Sequence, residues 1–251
     1  MDIATLLGLV IGFGGIIFGN FIEGGHLSSL MQFTAFLIVF AGTVGAVMVS
    51  SSERALKTGV NLAKKAFRHE ESVAHQHLEE LIEYSRIAKK ESILALEPRL
   101  ARMSDPLMRD VLRSVVDGME EPAIRDVFEN QIYIEEEELL DGAKIWTDAG
   151  GYAPTIGIIG AVLGLIHVMG NLTDTSKLGA GIAVAFVATV YGVSFANLLF
   201  LPLGSKLKKK VEERTRERMM ILEGGVMIAK GVNHVVIEQK LRSYLSHASK
   251  A

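Results

Sequence analysis

Four apolar windows, Ile3–Ile22, Leu30–Val49, Tyr152–Leu172 and Leu178–Leu203, contain no Asp, Glu, Lys or Arg. A helix of about 20 such residues crosses a hydrocarbon core about 30 Å thick, and a helix satisfies its own backbone hydrogen bonds in that medium. The pattern predicts an all-α membrane protein with four transmembrane helices. Composition agrees, since 49% of the 251 residues are hydrophobic and they gather in blocks between charged stretches. Only Met1 and Asp2 precede the first window and neither is basic, so it reads as a span rather than a cleavable signal. With no cysteine, disulfides and thiolate metal sites are excluded.

Orientation follows from the basic residues. The segment 51–151 holds 14 Lys and Arg and the tail 204–251 holds 11, whereas the short loops near Gly25 and Thr173 hold only Lys177. Basic loops stay on the cytoplasmic side, so the long loop and both termini are expected there. The chain then divides into 1–50 (spans one and two), 51–151 (a helical cytoplasmic loop), 152–203 (spans three and four) and 204–251 (a helical cytoplasmic tail). Lys206, Lys208, Lys209 and Lys210 follow the fourth span at headgroup level and read as a topology and lipid anchor, with no nucleic-acid site implied.

Within the loop, Glu70 to Leu100 carries apolar residues at helical spacing (Leu78, Leu81, Ile82, Ile87, Leu94), and Pro98, Pro106 and Pro122 cut it into short helices. From Ile124 the apolar residues continue through Val127, Phe128, Ile132, Ile134, Leu139 and Ile145 into the third span, which predicts one long helix. The fourth span is expected to continue likewise through Val211, Met219, Leu222, Val226 and Val235. The acidic run Glu135–Glu138 reads as a solvated face of this stalk.

Inside the spans, small residues recur every three or four positions: Gly8, Gly12, Gly15 and Gly19 in the first, Gly160 and Gly164 in the third, and Gly181, Ala185, Ala188, Gly192 and Ala196 in the fourth. Such faces let helix backbones approach closely in lipid, within one subunit, between subunits or around another helix. The polar groups there are Thr34, Thr43, Thr155, His167, Thr189, Ser194 and Asn197. A threonine in a span commonly bonds back to its own helix, whereas an intramembrane carboxylate marks an ion path. These spans supply no carboxylate. Pro154 and Pro202 lie near the cytoplasmic ends of the third and fourth spans, at one membrane level because the helices are antiparallel. Each removes a backbone donor and disturbs the preceding turn.

Four stretches carry a resemblance: GGYAPTIGIIGAVLGLIHVMGNL (150–172), AFVATVYGVSFANLLFLPL (185–203), IAKKESILALE (87–97) and ILEGGVMIAKGVNHVVIEQKL (221–241). Together they resemble the MotA family, the ion-channel subunits of the bacterial flagellar stator, over essentially the whole chain. The resemblance implies a non-enzymatic, cofactor-free subunit of the inner membrane. It would form a homo-oligomer, a pentamer around a MotB dimer, and MotB would supply the transmembrane aspartate. It assigns Thr189, Ala161, Thr155 and Asn197 to the ion path, Pro154 and Pro202 to conformational coupling, and Lys89, Lys90 and Glu97 to contact with the rotor protein FliG. The small-residue stripes would make room for the MotB helix. Alanine at 161, where sodium-driven relatives tend to carry threonine, favours protons. Asn197 stands where proton-driven relatives often have tyrosine, Lys89 where arginine is common, and His234 where the tail pattern has proline. An envelope energiser of the ExbB or TolQ type, with three spans, and a non-conducting membrane scaffold are the alternative readings.

Overall fold

The computed structural model describes residues 3–66, 73–171 and 178–245 in full and the backbone of 175–177. Met1, Asp2, Glu70, Leu172, Thr173 and the Lys177 side chain, which entered the reading above, lie outside the described residues. The helices are α1 (Ile3–Ile22), α2 (Leu27–Leu30), α3 (Phe33–Ser50), α4 (Glu53–Ala66), α5 (Ala74–Lys90), α6 (Glu97–Leu100), α7 (Pro106–Val116), α8 (Glu121–Met169), α9 (Thr175–Phe195), α10 (Leu201–Ala229) and α11 (His234–Leu245). A 3₁₀ turn at Ile93–Leu96 precedes α6, and a π turn at Ala196–Phe200 separates α9 from α10. Among the described residues, four helices are long and apolar enough to cross a membrane. They fall where hydropathy places the spans, except that Met31 and Gln32 break the second window and α3 starts at Phe33.

Two compact units share α8 and α10: Met1–His69 with Glu138–Lys208, and Glu70–Glu137 with Lys209–Ala251. Packing thus groups α4 and the stretch from Glu138 with the spans.

In the first unit, α3 packs on α9 through Ala35, Val39, Val187 and Ala188. The Tyr191 hydroxyl fixes this pair at the α2–α3 end, donating to the Leu30 carbonyl and accepting from the Gln32 N–H at 3.3 Å. The amphipathic α4 buries Ala55, Gly59, Ala63 and Ala66, spaced by three or four residues. Its Gly59 carbonyl accepts from Trp146 Nε1 on α8 at 3.0 Å. Glu138 pairs with Arg54 of α4 at 2.5 Å. α1 has no buried residue.

The second unit surrounds a single apolar core that includes Leu81, Met108, Leu112, Ile124, Met220, Leu222, Ile237 and Leu241. Asp105 caps α7, accepting from the Met108 N–H at 2.8 Å, with Pro106 at the first helical position where its missing donor costs nothing. Glu135 pairs with Arg214 at 2.6 Å and lies 3.7 Å from Arg218. The Glu135–Glu138 run is therefore not a plain solvated face: its first and last members bind guanidinium groups on other helices. The continuation of α10 to Val235 is also corrected. Gly231, at φ +67°, ends the helix with Val232 N–H on the Met227 carbonyl and Gly231 N–H on Ile228, a Schellman cap. Val235 belongs to α11.

His77 of α5 is buried, its Nδ1 2.7 Å from Glu217 Oε1 of α10. This close approach of the Glu217 carboxylate holds the imidazole pKa above the ordinary histidine value; burial opposes it, and the charges of Glu217, Asp105 and Glu80 reinforce it. A histidine raised above its unfolded pKa of about 6.5 stabilises fully below that pH and loses the contribution as pH rises through the folded pKa. The melting temperature of the purified full-length protein is accordingly expected to fall as pH rises above about 6.5. His77→Gln should flatten that dependence, and an undiminished slope in the variant would remove His77 as its source.

Candidate functional site

The third and fourth spans meet backbone to backbone. A Cβ on Gly157 would come 2.9 Å from the Ala188 carbonyl and 3.4 Å from Thr189 Cα; one on Gly192 would stand 2.5 Å from the Ala153 carbonyl. Further along, a Cβ on Gly164 would meet Ala185 N and the Gly181 carbonyl at 2.8 Å each. The small-residue faces of α8 and α9 are consumed by each other. On these two helices they do not make room for another helix, which corrects that part of the expectation; on α1, Gly8, Gly15 and Gly19 face open space. Such close contact suits lipid, where packing rather than water expulsion holds helices together.

This contact has two flanks. α3 covers one, with Ile38 beside Gly160 and with Ala35 and Val39 beside Ala188. On the other, Thr189 borders Gly157, and Ala161 lies one turn further along α8; both are half-buried. Asn197, in the π turn, is exposed on the same face of the fourth span as Phe186, Val190 and Val193. Thr155 does not join them. At about 100° per residue it points about 180° away from the Gly157 and Gly164 face of α8, and it is exposed. Within one chain, then, Ala161, Thr189 and Asn197 border one open apolar flank, while Thr155 faces outward elsewhere.

The polar side chains satisfy themselves locally. Thr155 donates to the Tyr152 carbonyl at 2.8 Å, Thr189 to Ala185 at 3.3 Å, Thr43 to Val39 at 2.6 Å, and Asn197 Nδ2 to Val193 at 2.9 Å. Residues bonded this way keep a span stable while empty and still carry oxygen lone pairs that an ion or water can use.

The two prolines differ in their effect. Pro154 sits within a continuous α8, whereas Pro202 is the second residue of α10 directly after the π turn. Gly150, whose carbonyl has no i+4 donor at Pro154, lies against the side chain of Leu201, so the two disturbed turns are neighbours. In the α register the Pro202 ring would collide with the Leu198 carbonyl. The widened turn, closed by Leu201 N–H on the Ala196 carbonyl, avoids that. Sequence reading found both prolines but not the π turn, whose only local signal is the proline itself.

The charged residues of the second unit are arranged less simply than their spacing suggests. Lys89 donates to the Gly231 carbonyl at 3.0 Å, beside a cleft of about 280 Å³ lined by Ser85, Ala88, Ile93, Ile228 and Val232. Lys90 and Glu97 are exposed, and Ser92, at φ +139°, turns the chain between them. Among the described residues no group of three or more His, Asp or Glu is placed to hold a metal ion.

Comparison with known proteins decides the family. Residues 99–220 match the MotA/TolQ/ExbB proton channel family, and residues 6–92 match the motility protein A N-terminal region. Motility protein A of Bacillus subtilis is 34% identical, over 98% of this chain and 91% of its own. The chain belongs to the MotA/TolQ/ExbB proton channel family. Two solved members of this family have the same fold. The C. jejuni MotAB structure superposes with a TM-score of 0.92 at 33% identity, covering 98% of this chain and 97% of that one. The flagellar MotAB stator complex from Bacillus subtilis gives 0.87 at 33% identity, covering 96% of each. Family membership also accounts for the four apolar helices as spans of a multi-pass membrane protein.

Proposed function

We propose that this chain is a flagellar motor stator subunit that forms a transmembrane proton channel with MotB and converts proton flow into torque on the rotor. One observation carries the reading: the flank bordered by Ala161, Thr189 and Asn197 is open, apolar and without a carboxylate. A path there needs a second polypeptide to close it and to bring the titrating group. A MotB helix bearing an aspartate supplies both, and the likeness to MotAB complexes supports that partner and an oligomer. Thr155, on the outward face of α8, reaches such a path from a neighbouring copy, in keeping with a pentamer around a MotB dimer.

Protonating the partner's aspartate discharges a group in a low-dielectric surrounding and so changes its desolvation cost and hydrogen bonding. One charge crossing 100 mV releases about 2.3 kcal/mol. That amount suffices to shift helices at turns already weakened by Pro154 and Pro202. Lys89, Lys90 and Glu97 then present charge to FliG. The chain acts without a cofactor and catalyses no covalent step. It lies in the bacterial inner membrane with both termini cytoplasmic, as the basic loop and tail favour. Four candidate spans rather than three weigh against the energiser reading.

Co-expression with the MotB of the same genome in a stator-deficient host tests the proposal. Swimming should be restored, persist without sodium and stop with a protonophore. Sodium-dependent swimming would overturn the proton assignment, and no swimming with both proteins in the membrane would overturn the stator reading.

A further inference from the structure

α1 buries none of its residues and belongs to none of the apolar clusters, yet it touches the hinge of the fourth span on both sides. Seven residues apart on α1, Thr5 and Gly12 meet two residues eight apart across Pro202. The Thr5 hydroxyl accepts from the Lys206 ammonium, four residues after the proline. Gly12 receives the Leu198 side chain, four residues before it; a Cβ at Gly12 would come 3.1 Å and 3.4 Å from the Leu198 methyl carbons. Beside this seat the Phe13 ring lies 5.8 Å from Phe195, which also contacts Phe200 at 6.3 Å, so the rings bracket the π turn.

From this juxtaposition we propose that α1 is a splint across the Pro202 hinge, with Gly12 and Thr5 as positioning residues that hold the π turn in register. A π turn followed by proline lacks the continuous i to i−4 ladder that stiffens a helix. Its geometry then depends on what grips it from outside. The Gly12–Leu198 seat holds the N-terminal side, and Thr5–Lys206 holds the C-terminal side. Loosening either grip frees the backbone between them while leaving the α8–α9 contact, which lies on other faces, in place. The inference rests on the hinge role proposed above for Pro202.

Hydrogen exchange on the full-length protein, purified with MotB in lipid nanodiscs, tests the splint directly. Gly12→Val, whose added methyls displace Leu198, should speed amide exchange across 196–206 about tenfold, as expected of local opening. Leu198→Ala in the Gly12→Val background should restore protection by vacating the space. Thr5→Val, which keeps the shape and removes the acceptor, should produce a smaller rise. Exchange unchanged in Gly12→Val and Thr5→Val, or no rescue in the double variant, would overturn the splint. Faster exchange with undiminished swimming would instead support the splint and overturn the coupling role of the Pro202 hinge.

Discussion

Gly192→Val should all but eliminate assembled protein from the membrane. A Cβ at this position would stand 2.5 Å from the Ala153 carbonyl and 3.2 Å from Gly157 Cα. Both are backbone atoms, so no rotamer change relieves the clash and α8 and α9 have to separate. Separation costs the packing of the whole interface, and in lipid no water expulsion compensates. Overpacking a tight contact typically costs about 1–3 kcal/mol when side chains can yield; here they cannot. Membrane-fraction yield and recovery with MotB should fall at least about tenfold, the factor that 1.4 kcal/mol represents. Gly14→Ala, at a site with nothing within 4 Å in this chain, is the control and should be recovered normally. Normal recovery of Gly192→Val would mean that the two helices do not pack through this face.

Arg218→Met should strongly destabilise the second unit. Arg218 and Asp105 are 17% and 13% exposed, their closest approach is 3.1 Å, and Glu135 lies 3.7 Å away. Removing the cation strips Asp105, which also caps α7, of its guanidinium partner, while Glu135 keeps Arg214. Breaking a pair this far from solvent costs about 3 kcal/mol, visible as a lower denaturation midpoint of the purified protein. Arg218→Lys should recover part of it, because an ammonium restores charge without the fork that reaches both acids. A loss below about 0.5 kcal/mol would class the network with solvent-screened surface pairs.

Much of the architecture could be read from the chain because its causes are local. Hydropathy and the absence of charge place the four spans, and Pro106 and Pro122 fall at the starts of α7 and α8. Long-range pairings were not readable in this way. Glycine spacing in α8 and α9 announces a close contact but not its occupant, which proved to be the chain's own neighbouring helix. The pairing of Glu135 with Arg214 joins residues 79 apart, and no spacing rule reaches that far. The π turn depends on Pro202 together with Leu198 and its seat on Gly12. The end of α10 was within reach, since Gly231 followed by Asn233 is a stop signal next to a start signal. For the candidate site, the resemblance names all four proposed ion-path positions, but only geometry separates Thr155 from the flank shared by Ala161, Thr189 and Asn197.

The capped end of α10 has a consequence for α5. The carbonyl of Gly231, the residue that ends the helix, already holds the ammonium of Lys89. An incoming carboxylate therefore does not find a free charge; it exchanges with an acceptor in place. The net gain is the difference between two hydrogen bonds, on the order of 1 kcal/mol rather than the full strength of either. An approaching acidic surface would be caught and let go with little loss, and the vacated carbonyl draws the lysine home once that surface has moved on.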